Sequence, residues 1–417
     1  MKVNLKIIMF ILLLFTSLVF VDCKSGDKNV NQSKINKGQQ SDPLSLTLFD
    51  YNNLVEVKNN IKSEKYSTSF QKLIREADQA LNDTVFSVTY KKLTPPSGDK
   101  HDYISYGPYW WPDPEKSDGL PWIRRDGEVN PLSRDNNTDY TEKATFFNNV
   151  SDLSWAFFFS DNKEYATKLK ELLDVWFLDE DTKMNPNLNF AQGIPGINDG
   201  RGIGIIDFAG ITKVITAIEI LEIKNAIDPH MSVDLRNWLS GYLNWLQTSK
   251  NGIFERDTKN NHGTYYDLQV VSLHLFLGNK EGAREVLETA KLKRIASQIE
   301  PDGKQPHELA RTKSLSYSTM NLKGMTQLAI FGTKVGVDLW NYSPQNAGNI
   351  KQAYEFLKPY AMGEKEWTYE QINSKEKAIK SLKQLYLKAG CEFGISEYEQ
   401  IGRVGDNITN SLFESCN

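Results

Sequence analysis

Residues 161–179 read DNKEYATKLKELLDVWFLD, and the spacing of their apolar side chains decides what kind of chain this is. Tyr165, Leu169, Leu172, Leu173, Trp176 and Phe177 recur at intervals that put them on one face of an α-helix. Similar stripes run through 66–82, 140–159, 231–247, 280–298, 348–360 and 370–388. Residues 203–223, IGIIDFAGITKVITAIEILEI, are apolar nearly all round and read as one buried helix. Strand-like alternation is scarce, with FSVTY at 86–90 the best candidate. The expectation is an all-α chain. Helix pairs recur at roughly forty-residue spacing, and such pairs stack either as an open solenoid or as a closed α/α toroid.

Composition limits the functions such a scaffold can serve. Of 417 residues, 40% are hydrophobic and the net charge is −4, so there is no polycation signal for nucleic acid and no nucleic-acid partner is expected. An anionic ligand would need a locally basic site in this mildly acidic protein. The first 23 residues carry a basic start at Lys2 and Lys6 and an apolar run from Ile7 to Val21 that is short for a membrane span. Cys23 follows at once, as in a bacterial lipoprotein signal, although Asp22 stands where a small residue is usual. We read 1–23 as a signal peptide with Cys23 the lipidated residue, 24–45 as a tether and 46–417 as one domain. The protein is then exported to the periplasm or the outer membrane, touching the membrane only through a lipid anchor. Simple secretion is the alternative. Cys391 and Cys416 remain in the mature chain and can pair in an oxidising compartment.

Long loops interrupt the helices at 101–135, 184–204 and 300–314. GRGIG at 200–204 lacks the preceding strand and the G-x-G-x-x-G spacing of a dinucleotide fingerprint; its glycines suit a tight turn or a close approach to a helix. His262 and His274 are too far apart along a helix for a metal pair and no HExxH motif occurs, so neither metal nor cofactor is expected. Tyr109, Trp110 and Trp111 form either a platform for sugar rings or a plug at the end of the helical array.

The densest polar cluster is TKNNHGTYYD at 258–267, holding one of only five histidines in the chain. Asn260 or Asn261 can simply cap a helix there. A chemical reading also exists. Cleaving a uronic-acid polymer by β-elimination requires neutralising the sugar carboxylate, removing the C5 proton and protonating the departing O4. Asn261 and Arg311 suit the first task, His262 the second and Tyr317 the third. In LARTKSLSYSTMNLKGM, Arg311 and Tyr317 would lie about 240° apart on a continuous helix. They converge only if the chain bends between them.

Four motifs in this order, YGPYWWPDP…GLPWIRRDGEVNP, NFAQGIPGINDGRGIGIIDFAG, NNHGTYYD and ELARTKSLSYSTMNL, resemble the alginate lyase-like polysaccharide lyases and their glucuronan-cleaving relatives. The resemblance spans roughly 95–330. It implies an α/α toroid, an incomplete barrel of about six or seven helix pairs whose long loops form a cleft. It also implies Asn261, His262, Arg311 and Tyr317 as catalytic residues, with Tyr317 also able to abstract C5–H from mannuronate and His262 acting from the opposite face on guluronate or glucuronate. Gln192, Arg201, Tyr265, Tyr266, His307, Tyr109 and Trp110 are then expected along the substrate cleft, and an anionic polysaccharide is the expected partner. The arginine–tyrosine spacing is shorter than in the periplasmic alginate lyases and looks more like relatives of wider uronan specificity. Two rival readings remain open. A glycoside hydrolase on the same toroid would need two carboxylates roughly 5–10 Å apart, drawn from Asp199, Asp207 and Glu308. A surface glycan-binding lipoprotein would need no chemistry.

Overall fold

Most of the amphipathic stripes become an outer layer of helices, while those at 140–159 and 370–388 join the more apolar helices of an inner layer. The computed structural model describes residues 46–403, so the leader, Cys23, the tether to residue 45 and Cys416 lie outside the described residues. In chain order the helices are α1 (Tyr51–Asn59), α2 (Glu64–Asn82), α3 (Tyr140–Ser160), α4 (Lys163–Phe177), α5 (Ile211–Ile223), α6 (Pro229–Thr248) and α7 (Lys250–Arg256). They continue with α8 (Asn261–Phe276), α9 (Lys280–Ala290), α10 (Pro306–Leu309), α11 (Ser314–Val335), α12 (Ile350–Met362), α13 (Lys375–Phe393) and α14 (Ser396–Gly402).

Helices α3, α5, α8, α11 and α13 neighbour one another in that order as the inner wall, with α2, α4, α6, α9 and α12 packed outside them. The chain is an all-α toroid. Burial shows why each helix takes its layer. In α8, fourteen of sixteen residues are buried, whereas α9 buries only Ala283, Leu287 and Ala290 of its eleven. An all-round buried helix has no solvent face and must sit inside. Two hydrophobic cores meet on α8: Tyr266, Val270 and Leu273 enter one, while Tyr265, Leu268 and Val271 enter the other. The α4 stripe that opened the sequence reading lies in the first core, where Leu169, Leu172 and Leu173 are fully buried. Truncating one of these leucines to alanine should cost about 2–5 kcal/mol.

Three expectations need correction. Residues 203–223 are not one helix: a 3-10 turn covers Gly202–Phe208 and α5 starts only at Ile211. Asp207 breaks the run, because its buried carboxylate accepts from Tyr103 Oη at 3.1 Å, Ser105 Oγ at 2.6 Å and Gln192 Nε2 at 2.8 Å. FSVTY is no strand. The Ser87 hydroxyl accepts from Thr89 N and starts a 3-10 turn at Val88–Tyr90, a local bond that competes with extended backbone. The helix expected over 280–298 passes into a π-turn at Lys291–Ala296 that carries Arg294. Such turns accommodate an inward-facing side chain.

Short strands staple the long loops instead. β1 (Ile104–Tyr106) pairs in parallel with β4 (Phe190–Gly193), joining the 101–135 loop to the 184–204 loop. β2 (Trp110–Trp111) pairs antiparallel with β3 (Ile123–Arg124), with Trp110 opposite Arg124. At the far end of the chain, Cys391 is disulfide-bonded.

Candidate active site

The NNHG stretch is folded by its own polar groups. Asn260 takes the N-cap of α8 and accepts from His262 N at 3.3 Å. Beneath it, Arg294 forks onto buried Asp267 at 2.8 and 3.0 Å and donates to the carbonyls of Thr258 and Arg256. Gly263 is required here, since a Cβ would collide with Thr258 O and lie 2.6 Å from Arg294 Nη1. The turn therefore presents Asn261 and His262 in a fixed pose.

Each of the two is held by a buried carboxylate. Glu308, fully buried on α10, accepts the Asn261 backbone N–H and side-chain Nδ2–H, both at 2.7 Å. Burial raises the Glu308 pKa, against the opposing pull of those two bonds and of His262 and Arg311. Glu255, 0% exposed at the end of α7, lies 2.7 Å from His262 Nδ1. With Nδ1 bound to Glu255, the lone pair of a neutral imidazole resides on Nε2.

The bend expected between Arg311 and Tyr317 is present. Helix α10 is a single turn, the chain breaks over 310–313, and α11 begins at Ser314. The Gln371 side chain accepts from Leu315 N and Ser316 N, satisfying the first turn of α11 from outside the helix. Arg311 Nη2 consequently reaches Tyr317 Oη at 3.2 Å. Arg311 also forks onto Asp126 of the 101–135 loop at 3.1 and 2.9 Å. Although burial opposes it, bonding to Arg311 and Arg124 holds the Asp126 carboxyl far below its ordinary pKa. Tyr317 Oη is 2.6 Å from Tyr109 Oη, and burial followed by the Tyr109 neighbour pushes the Tyr317 phenol well above its ordinary pKa despite Arg311. Tyr317 is thus a protonated group, suited to donating a proton.

The remaining wall comes from the stapled loops. Arg201 donates Nε and Nη2 to the backbone and side-chain oxygens of Gln192 at 3.0 and 3.1 Å and lies 6.0 Å from the Trp110 ring. Burial lowers its pKa, and Asp207 and Glu255 offset this only through space. Its Nη1 has no hydrogen-bond partner among the described residues. Lys313 stands over the Tyr109 ring at 5.0 Å.

Not every residue expected at the cleft faces it. Gln192 is buried with its amide shared between Arg201 and Asp207, and it supports the wall from behind. Tyr266 is a core residue bonded to Leu246 O, and Tyr265 is buried with its hydroxyl on Met320 O. Consecutive positions of an all-round buried helix point into separate cores, so neither forms part of the cluster around Tyr317. His307 is exposed on α10 and makes no polar contact among the described residues. Conversely, Glu255 and Asp126 were missed as partners, and Glu308 was weighed only as a hydrolytic acid. GRGIG needs its glycines for close approach: side chains at Gly200, Gly202 and Gly204 would strike Asn189, Phe254 and Ala191.

The model of the alginate lyase family matches residues 87–367. An alginate lyase from Bacteroides ovatus is 37% identical, with a TM-score of 0.85 over 89% of this chain and 99% of its own. Alginate lyase A1-III from Sphingomonas species A1 is 16% identical and covers 84% of this chain and 90% of its own, with a TM-score of 0.53, which is a likeness of fold. No curated protein matches the chain at a significant level.

Proposed function

The chain belongs to the alginate lyase family and is a polysaccharide lyase, and from that premise we propose that it cleaves alginate, and glucuronan beside it, by β-elimination at the cluster around Tyr317. The observation that carries this reading is the 3.2 Å approach of Arg311 Nη2 to Tyr317 Oη across a helix break, with Glu308, which binds Asn261, in the field of both Arg311 and His262. The uronate carboxylate takes hydrogen bonds from donors left over after internal bonding: Arg311 Nη1, the second Asn261 amide hydrogen and Arg201 Nη1. The positive N-terminal ends of α8 and α11 add to that field. Neutralising this carboxylate acidifies C5–H. His262 Nε2 takes the proton from guluronate or glucuronate, and Glu255 balances the imidazolium that forms. Tyr317 protonates O4 as the C4–O4 bond breaks, leaving a C4=C5 bond conjugated to the carboxylate. For mannuronate, whose C5–H lies on the other face, Tyr317 first gives its proton to solvent beside Arg311, then takes C5–H as the phenolate and returns that proton to O4.

The deciding experiment follows ultraviolet absorbance of the conjugated product on mannuronate blocks, guluronate blocks and glucuronan, for wild type and Tyr317→Phe. A rise on at least one polymer that falls about 10²–10⁴-fold in the variant is expected. New reducing ends without absorbance would replace elimination by hydrolysis, and binding without either would leave a glycan-binding protein.

The apolar leader ending at Cys23 supports export with a lipid anchor. A Cys23→Ser protein that stayed in the membrane fraction would remove that reading.

A further inference from the structure

Between α11 and α13 lies a half-open chamber of about 600 Å³, within the roughly 300–1,000 Å³ typical of small-molecule sites. It begins beside the catalytic tyrosine at Ser316 and Met320 and extends along α11 to Ile330, about 20 Å away at 1.5 Å per residue. Ser316, Thr319 and Lys323 line it, turned by about a quarter to a half of a helical circuit from Tyr317. From α13 come Lys377, Gln384 and Lys388. No carboxylate is among the lining residues.

The lysines differ in how far they are committed. Lys388 is paired with Glu392 at 2.5 Å. The ammonium groups of Lys323 and Lys377 make no ion pair or hydrogen bond among the described residues. Lys323 is reached by solvent yet walled in by protein, and desolvation lowers its ammonium pKa with no carboxylate to counter it. Lys213 of α5 adds a second positive charge to its surroundings. An ammonium held this way has solvent but no protein anion beside it, so an anion entering the chamber gains a charge-assisted contact without displacing a carboxylate. Asn373 and Ser374 stand just ahead of the first turn of α13 at the chamber wall, where Ser374 Oγ donates to Glu376 at 2.9 Å and that carboxylate offsets the positive end of the helix.

The rest of the lining identifies the kind of anion. Hydroxyls and amides alternate with apolar surface from Met320, Ile330 and Leu385. This mixture suits the hydroxylated edge and apolar face of a sugar ring. A compact phosphate would instead call for an arginine fork or a nest of backbone N–H groups.

We propose that the chamber is a second, non-catalytic binding site for an anionic uronate oligosaccharide, held by Lys323 and Lys377. The choice of uronate rests on the elimination reading above. A product chain retained there would stay beside α11 after cleavage, and successive cuts on one polymer would be favoured over release.

The test is a calorimetric titration of the full chain with an unsaturated uronate trisaccharide, comparing wild type with Lys323→Gln/Lys377→Gln. Two equivalents are expected for wild type, and one for the variant, whose chamber affinity falls at least tenfold. One equivalent in wild type and none in the variant would support the chamber while counting against the catalytic cleft as a uronate site. Equal stoichiometry and affinity in both proteins would overturn the chamber. So would equally tight chamber binding of a neutral trisaccharide. Lys323→Arg/Lys377→Arg should restore the second equivalent. Should the glutamine pair fold poorly, exposed Lys377→Gln alone carries the same comparison.

Discussion

Replacing Glu255 by glutamine isolates one charge while keeping its shape and an acceptor for His262. The carboxylate is fully buried, lies 2.7 Å from His262 Nδ1, and its second oxygen has no hydrogen-bond partner. Its one hydrogen-bonded neighbour is His262, and Arg201 feels its charge only through space. The proposed base needs a free Nε2 lone pair before reaction, and glutamine can hold the same tautomer, so substrate binding should change little. In the transition state Nε2 has taken a proton, and a positive ring faces either a carboxylate or an amide. Charge centres about 4 Å apart attract by about 4 kcal/mol at an effective dielectric constant near 20. The ring is 13% exposed, and water on that side screens part of this. A loss of about 2–4 kcal/mol in the transition state corresponds to a kcat lower by roughly 30- to 1,000-fold. KM should not rise, because the substitution removes a negative charge beside an anionic substrate. Initial rates of ultraviolet absorbance on guluronate blocks and glucuronan, where His262 is the proposed base, measure this directly, and mannuronate blocks should be affected less. A kcat within about threefold of wild type on all three polymers would refute the argument, as would a loss confined to KM.

Three further outcomes follow from neighbouring contacts. Asp126→Asn takes the charge from the fork on Arg311, a charge-assisted contact worth about 1.5–3 kcal/mol, so kcat/KM should drop roughly 10- to 100-fold; an unchanged value would show that Arg311 is held by other means. Arg294→Met leaves Asp267 buried without its partner, at a cost of about 3–5 kcal/mol in denaturant unfolding, whereas Arg294→Met/Asp267→Leu should regain much of that loss. Burial pushes Glu219 up to about 7 even though Thr47 and Lys334 pull it down. Its folded pKa exceeds the unfolded one, so its stabilising contribution is complete below about pH 4.5 and disappears as pH rises through about 7. The wild-type thermal midpoint should fall across that window more steeply than that of Glu219→Gln, and parallel curves would exclude Glu219 as the cause.

Periodicity exposed the scaffold because burial on one face or on all faces leaves a mark in each helix. The α4 stripe and the run at 211–223 show both kinds. It failed where one polar side chain outweighed the pattern. Asp207 stands inside an apolar run, and its three hydrogen bonds to loop residues break the helix that hydropathy alone continues. Of the candidate site, the side chains proposed to meet substrate were legible, because asparagine, histidine, arginine and tyrosine crowd into short motifs at helix starts. Their supports were not. Glu255 precedes His262 by seven residues across a helix break, and Asp126 meets Arg311 across 185 positions. With 53 acidic residues in the chain, nothing local marks these two. The doublet Tyr265–Tyr266 misled for the opposite reason: aromatics next to a histidine look like a cleft lining, yet on a helix buried all round they are packing.

The same carboxylates resolve how a mildly acidic protein can hold a polyanion. Three acids surround the cluster, and left open they would repel a uronate. Glu308 and Glu255 are sealed from solvent, Glu308 with both oxygens on Asn261 and Glu255 with one on His262. Asp126 is clamped between Arg311 and Arg124. All three face inward, so the surface left for a ligand carries Arg201, the free edge of Arg311, Lys313 and the first turns of α8 and α11. This also weighs against hydrolysis by these groups. A glycosidase acid must touch the bridging oxygen and its partner must touch water or the anomeric carbon. Glu308 is closed off by Asn261, Asp207 is buried under Tyr103, Ser105 and Gln192, and exposed Asp199 has neither of them as a reachable partner. Burying the acids that position the cluster disqualifies them as acids toward the sugar, and what remains within reach is a phenol, an imidazole and cations, the set that an elimination requires.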